Sequence, residues 1–446
     1  LLMLSVSQAE TIILERVPPF DPTHDSEWVS LMDGRDRVLA QPVTSPLDFP
    51  HWDNSAMDGY AVRYADVSQA TPEFPVMLTV VETIPAGTAP HHTVTAGEAA
   101  RIFTGSVMPP GADTVVMQEN TQRQGDRVLI FAAPATPCAF VRKRGSFYHA
   151  GSVLLEAGIQ LQAAEIAVLA AAQCAQVAVF RRPRVAILST GDELVGIDQP
   201  LGPGQIVDSN QYALAAALAA TGAVPLRLGV VPDQPDVLKR QIEQAIATAD
   251  VVLSSGGVSV GEYDYVDEIL VALGAKIPIR AVAIKPGKPL TVAHWPTHSG
   301  AVRASTALLY FGLPGNPVSA LVTFWRFVQP ALRKLMGLKE SQWRSPVVVA
   351  TTATALRADD RRETYVWGQL HLNQGKYRFI PAGGNPSSGN LINLAGSNGL
   401  AILLPSQGVI DAGQSVPVMQ ILPLFCGTGM PLYECSLDDN ENNSGI

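Results

Sequence analysis

Apolar runs of strand length alternate with amphipathic segments of helix length through the middle of the chain. The run 185–188 precedes a predicted helix near 210–221, the run 226–231 one over 236–248, and the run 251–254 one over 265–273. Residues 281–284, 290–293 and 307–311 read as further strands, and a helix over 317–335 closes the unit. This alternation predicts a mainly parallel sheet covered by helices.

The flanks have other patterns. Trp28, Leu31 and Met32 at helical spacing predict a helix over 25–39, ended by Pro42, Pro46 and Pro50. From 49 to about 138, short β-like runs (76–81, 99–103, 127–131) lie between Gly and Pro, which suggests a small β-rich domain. Helical texture returns over the Ala-rich stretch 163–173, between strand-like runs 153–155 and 177–180. After Met336 only β-like runs remain (347–352, 365–372, 377–380, 400–404, 415–422), the pattern of a small all-β domain.

Composition narrows the class. A chain of 446 residues exceeds what one hydrophobic core supports, and 47% hydrophobic with 16% charged residues is globular composition. The net charge of −9 argues against wholesale binding of nucleic acid or anionic membrane, so an anionic ligand would need a local cluster of cations. Residues 426–446 read as a disordered acidic tail. The apolar stretch 159–180 is interrupted by Gln160, Gln162 and Glu165 and is read as an internal helix, and residues 1–6 are too short for a signal core. Cys138, Cys174, Cys426 and Cys435 are too scattered for a disulfide framework or a zinc site. Cys138 and Cys174 are read as buried apolar fillers, and a cytoplasmic location is the simplest expectation.

The loops after the central strands carry the candidate chemistry. They are 189–193 (STGDE), Pro232-Asp233, 255–261 (SGGVSVG), 285–289 (KPGKP) and 312–317 (GLPGNP). In an open parallel sheet, ligands bind outside the carboxyl ends of the strands, so the five loops are expected to converge. Gly256, Gly257 and Gly261 would let backbone amides cradle an anion, and Lys285 and Lys288 add positive charge. Glu193, Asp233 and Asp264 offer hard oxygen ligands suited to Mg²⁺. Together they suggest a phosphate-bearing substrate with a metal ion. Singly, each has a plainer reading: Asp233 and Asp264 as helix caps, the glycines as a tight turn, the lysines as a solvated loop. No GxxxxGK[ST] is present, and the GxSxG-like match at 257–261 lacks a following His, His294 and His298 being read as part of a surface insertion. The basic run Arg142-Lys143-Arg144 and the pair Arg181-Arg182 could attract phosphates or form a solvated face. Asp53 and Asp58 could be paired acids or turn residues.

The motifs DNSAMDGYA (53–61), IFTG…PPGADTVV (102–116), STGDEL (189–194), GQIVDSN (204–210), SSGGVSVGEYD (254–264), AIKPGKP (283–289) and GLPGNPVSA (312–320) resemble the molybdopterin molybdenumtransferases, a family that includes the gephyrin E domain. They follow the family's order and cover about residues 10–425. The resemblance implies a multidomain α/β plus β-rich fold. A discontinuous linker and dimerisation domain would span 1–48 and 139–180, with a small β-rich domain inserted at 49–138. A central three-layer α/β domain at 181–337, resembling molybdopterin adenylyltransferase, and a C-terminal β-barrel-like domain at 338–425 would follow. It implies an elongated homodimer whose active site is shared between subunits, with Asp58 brought towards Asp233 and Asp264.

The implied reaction consumes adenylylated molybdopterin and molybdate, with Mg²⁺ assisting, and releases AMP; molybdopterin adenylyltransferase is an implied partner. Catalytic roles would fall to Asp58, Glu193, Asp233, Asp264 and Lys285, with Glu193, Asp233 and Asp264 holding the metal. Substrate contacts would come from Thr104; from Ser189, Thr190, Gly191 and Asp192; and from Ser255, Gly256, Gly257, Ser259 and Gly261. Arg280, Lys288, Pro314, Asn316 and Pro317 would add to these, with Arg361 or Arg362 and Ser388 towards molybdate. Two departures stand out: Phe147 replaces an acid often found after the basic run, and Arg280 stands where Lys is frequent. A scaffold role, as in receptor clustering by gephyrin, would leave the acids and lysines free to vanish, and their presence favours an enzyme. Without the resemblance, some other metal-dependent nucleotide or phosphosugar enzyme would lead.

Overall fold

A computed structural model describes residues 3–256, 265–295, 308–383 and 387–422. The central sheet has six strands in the order Val224–Val231, Arg184–Thr190, Val251–Ser255, Leu308–Leu313, Pro289–Trp295, Lys276–Ala281. The first four are mutually parallel. Pro289–Trp295 runs antiparallel to both of its neighbours, so Lys276–Ala281 regains the common direction. The loop between these last two strands, which carries Lys285 and Lys288, therefore turns at the same end as the other strand-end loops.

Both faces of the sheet are covered, which explains its continuous apolar strands. Successive residues of Arg184–Thr190 point opposite ways: Val185 and Ile187 join the core containing Leu214, Leu218 and Phe311, whereas Ala186 and Leu188 join that containing Leu238, Ile242 and Tyr310. Helix Pro235–Thr248 buries Leu238, Ile242, Ala245 and Ile246 at helical spacing and starts with a proline, whose missing N–H costs nothing in the first turn. Helix Asn210–Thr221 ends at Gly222, which has φ 97°, a left-handed cap that suits glycine.

The C-terminal strands Glu363–Asn373, Lys376–Pro381, Val347–Thr352, Ser415–Gln420 and Gly399–Leu403 close on themselves through pairing of the first with the last, giving a five-stranded barrel. Ile284–Lys285 extends this sheet, pairing in parallel with Glu363 and Thr364. Lys285 thus sits where the α/β unit and the barrel share backbone hydrogen bonds.

Residues 59–130 carry a separate six-stranded sheet, ordered Thr114–Met117, Gly59–Val62, Glu98–Ile102, Val76–Ile84, Arg127–Ile130, Thr121–Gln124. Ser26–Ser30 pairs with Gln176–Phe180 across a long sequence separation. Arg181, immediately after that pair, makes a two-pronged contact with Asp250 at 2.7 and 2.6 Å and a third bond to Asp25 at 3.0 Å.

Several sequence expectations need correction. Residues 25–39 are not a helix: Trp28 and Met32 are 66% and 71% exposed, so the apolar spacing marks no core-facing stripe, and Ser26–Ser30 is a strand. The stretch 281–284 is not one strand but the end of Lys276–Ala281 and the start of Ile284–Lys285, which belong to different sheets. An unexpected helix, Val6–Glu15, starts at a Ser5/Gln8 capping box and packs against the closing helix of the α/β unit. That closing helix is broken by a π-helical turn at Phe324–Val328. His294 lies in Pro289–Trp295 rather than in an insertion, while His298 lies outside the described residues. Cys138 is exposed and Cys174 is half-buried, so neither is a buried filler. The acidic tail lies outside the described residues.

Candidate functional site

The strand-end loops of the α/β unit face the barrel across a cleft of about 1130 Å³. Thr190, Glu193, Ser255, Gly256, Lys285, Lys288, Pro314 and Asn316 line it from one side; Arg357, Asp359, Arg362, Tyr365 and Ser388 line it from the other. The expected convergence is therefore present for the loops after Arg184–Thr190, Val251–Ser255, Lys276–Ala281 and Leu308–Leu313.

Local geometry explains why these residue types stand here. Gly256 has φ 88°, and a Cβ there would run into the carbonyl oxygen of Thr190, so only glycine fits. Its amide is not free, however: it donates to the Leu313 carbonyl at 3.2 Å, so Gly256 contributes close approach rather than an open N–H. Gly287, at φ 114°, packs against Thr323 and sets the lysine turn. Asn210 braces the rim by donating to Ser255 Oγ at 2.6 Å and to the Gly315 carbonyl at 2.7 Å. Asn316 Nδ2 reaches Ser388 Oγ at 3.1 Å, tying the rim to the barrel loop. The hydroxyls of Ser189 and Thr190 are buried with no hydrogen-bond partner among the described residues.

The cleft wall also rests on a buried polar chain. Tyr365 OH donates to Glu363 at 2.6 Å and accepts from Arg326 Nε at 2.9 Å, and Arg326 reaches Glu10 of the N-terminal helix at 2.5 Å. Burial pushes the Tyr365 hydroxyl far above its ordinary value, so it stays protonated and acts as a strut.

The cations gather on Asp359, apart from the acids expected to hold a metal. Lys285 Nζ lies 3.4 Å from Asp359, which Arg362 also contacts at 2.8 Å. Lys288 is exposed, with no ion pair among the described residues. Beside Glu193, and outside the lining, Asp192 and Asp233 crowd together, so the Pro232-Asp233 loop does not reach the cleft as expected. Burial, then the charges of Asp192 and Glu193, raise the Asp233 carboxyl above its ordinary value. Such crowding fits a hard divalent cation, which would relieve the repulsion, although no group of three or more ligands is assembled among the described residues. Asp264, the third expected ligand, lies outside them.

A raised carboxyl penalises its charged form, so this contribution to stability falls as pH rises through it. Asp233→Asn is therefore expected to raise the Tm of the metal-free protein at neutral pH. The gain should vanish as pH falls towards the ordinary value of 3.8. A thermal-melt series over pH checks both statements.

Not every expected residue reaches the cleft. Asp58 accepts from the Thr104 amide and hydroxyl, both at 2.7 Å, which hold it below the usual carboxylate range. This pair belongs to the inserted sheet and does not line the cleft of its own chain. Arg280 is held by Asp267 at 2.6 Å, away from the lining, and Arg361 and Pro317 also lie outside it. Ser189, Gly191 and Asp192 do not line the cleft. Gly257, Ser259 and Gly261 lie outside the described residues. Asp233 does not cap the following helix, whose cap position is Gln234. The basic run is largely neutralised within the fold, Lys143 by Asp53 and Arg144 by Asp48, at 2.8 and 2.7 Å. Phe147 packs against Phe49 with the two rings tilted, outside the lining. Sequence does not mark Arg357, Asp359 or Tyr365 as cleft residues; the charged run 357–362 is the one signal for the first two, and Tyr365 reads only as the start of the run 365–372.

Comparisons with known proteins agree over most of the chain. Residues 4–172 match the MoeA N-terminal region (domains I and II), 186–334 a probable molybdopterin-binding domain, and 349–421 the MoeA C-terminal region (domain IV). A molybdopterin molybdenumtransferase of Nostoc is 57% identical over 419 residues, covering 94% of each chain. One from Haemophilus influenzae is 34% identical, covering 93% of this chain and 98% of its own. A crystal structure of the MoeA molybdopterin biosynthesis protein of Pyrococcus horikoshii superposes with a TM-score of 0.76 at 30% identity, over 94% of this chain and 99% of the other. With its ordered motifs, its sheet-and-barrel cleft and these matches, the chain belongs to the molybdopterin molybdenumtransferase family.

Proposed function

We propose that this chain inserts molybdenum from molybdate into adenylylated molybdopterin, releasing AMP, in molybdenum cofactor biosynthesis. The observation that carries the reading is the cleft in which Lys285 and Lys288 stand on a rim that also presents Glu193, opposite Arg357 and Arg362 of the barrel. The cations neutralise phosphate and oxyanion charge, and Ser388 adds a hydroxyl donor for an oxyanion. In the reaction water attacks the pterin-side phosphorus of the phosphoanhydride, the P–O bond to AMP breaks and AMP leaves. Molybdate gives up one oxo group, lost as water with the two dithiol protons, as two Mo–S bonds form. Lys285 would offset the charge that builds on the phosphoryl oxygens.

Glu193 and Asp233, with Asp264, would hold Mg²⁺. When bound, that ion supplies charge neutralisation at the phosphoanhydride. Asp58 and Thr104, preorganised on each other but away from their own cleft, support a homodimer in which a second copy supplies them. The adenylylated substrate makes molybdopterin adenylyltransferase the natural donor partner. No helix among the described residues is long and apolar enough to cross a membrane, which is compatible with a cytoplasmic enzyme.

Purified chain mixed with adenylylated molybdopterin, molybdate and Mg²⁺ is expected to release AMP in step with molybdenum bound to the pterin. Absence of molybdate-dependent AMP release under those conditions would refute the assignment.

A further inference from the structure

The best-placed cations of the cleft are already engaged. One carboxylate oxygen, Asp359 Oδ2, lies 3.4 Å from Lys285 Nζ and accepts from Arg362 Nη2 at 2.8 Å. The other oxygen accepts from the Arg361 amide at 3.1 Å. The loop is built to hold this carboxylate in place. The Asp359 amide donates to Thr364 Oγ1 at 3.1 Å, and its carbonyl accepts from the Ser406 amide at 3.1 Å. Lys285 comes from the α/β unit and Arg362 from the barrel, so a single acidic side chain joins the two walls.

The Arg362 hydrogen bond, then the Arg361 amide, hold Asp359 well below the usual carboxylate range, so it stays ionised throughout neutral and mildly acidic pH. The pair is partly exposed, with Lys285 49% and Asp359 18% accessible, so its net strength is modest and an incoming anion can compete for it. A multiply charged oxyanion gains two cations on entering, whereas a monovalent anion gains too little to displace a tethered carboxylate.

We propose that Asp359 is the resident counter-anion of the cleft, occupying Lys285 and Arg362 until a multiply charged phosphate or oxyanion displaces it, and so selecting against weakly charged anions. This rests on reading the cleft as the anion site, and it adds a specificity role for a residue outside the motifs. Binding is then an exchange of anions, and departure of an anionic product is assisted by return of Asp359.

The test uses the full chain with inorganic phosphate as probe, followed by titration calorimetry at fixed ionic strength, and with chloride as competitor. Asp359→Asn is expected to bind phosphate about five- to tenfold more tightly, the scale set by an exposed ion pair and a removed like charge. Chloride should compete in this variant at concentrations that leave the parent unaffected. Asp359→Glu, which keeps the charge, should behave as the parent, and Lys285→Ala should bind phosphate more weakly. Equal or weaker phosphate binding by Asp359→Asn, with Lys285→Ala still impaired, overturns the exchange role and leaves the cleft assignment standing; Asp359 would then orient its two cations for the ligand. Parent-like phosphate binding by Lys285→Ala overturns both. Circular dichroism and denaturation midpoints matching the parent establish that each variant is folded.

Discussion

Lys285→Ala is expected to lower molybdate-dependent AMP release by about 10²–10³-fold, the loss that follows removal of one preorganised donor to a developing charge. The argument is positional. Lys285 stands on a two-residue strand that pairs with Glu363 and Thr364 of the barrel, and Gly287 packs the turn behind it against Thr323. Its ammonium is delivered into the cleft by backbone on both sides. Asn210, Gly256 and Asn316 maintain the rest of the rim without its help, so the denaturation midpoint should barely move. Lys285→Arg should recover only part of the rate, because a planar fork does not replace a compact ammonium in a tight turn. Parent-like turnover by Lys285→Ala would remove this lysine from the mechanism.

The second large effect concerns stability. Asp250 is fully buried, and it accepts two bonds from Arg181 and a third from the Arg184 amide. Arg181 also reaches Asp25, and its guanidinium lies over the Phe20 ring at 4.4 Å. Burial alone would weaken the protonated guanidinium, yet Asp250 and Asp25 outweigh it and raise the group above its ordinary value. Arg181→Ala removes both guanidinium bonds from the buried Asp250 carboxylate. Breaking a buried pair this way costs about 3–5 kcal/mol, and the lower end applies because Arg181 keeps some solvent contact. Arg181→Lys should recover less than half, since one ammonium cannot reproduce the two-pronged contact. Urea titration of parent and variants measures the loss. A midpoint unchanged in Arg181→Ala would show that the clamp carries no net stability.

The chemistry-bearing loops were legible because they combine two independent signals. They follow apolar strand-length runs, and they hold glycine, lysine and carboxylate types that a packed core rejects. The hairpin direction of Pro289–Trp295 was not legible, yet it decides that Lys285 and Lys288 share the rim with Thr190 and Ser255. Arg142–Arg144 looked like an anion site because sequence shows charge without its partners; Asp48 and Asp53 use two of those three charges internally. Asp359 escaped notice for the converse reason. It lies in a charged run between short strands, where neither periodicity nor glycine marks it, and only the pairing of Ile284–Lys285 with Glu363–Asn373 brings it to Lys285. The misread helix over 25–39 has a similar origin, since its strand partner, Gln176–Phe180, is remote in sequence.

The central claim is that one cleft, between the strand-end rim of the α/β unit and the barrel, takes the adenylylated pterin. A crystal structure of the chain soaked with the adenylylated substrate or with AMP tests it most directly. The account predicts phosphate density within hydrogen-bond distance of Lys285 Nζ, beside Gly256 and facing Arg362. Density for the phosphates at another surface, with Lys285 still paired to Asp359 and the cleft empty, would contradict it.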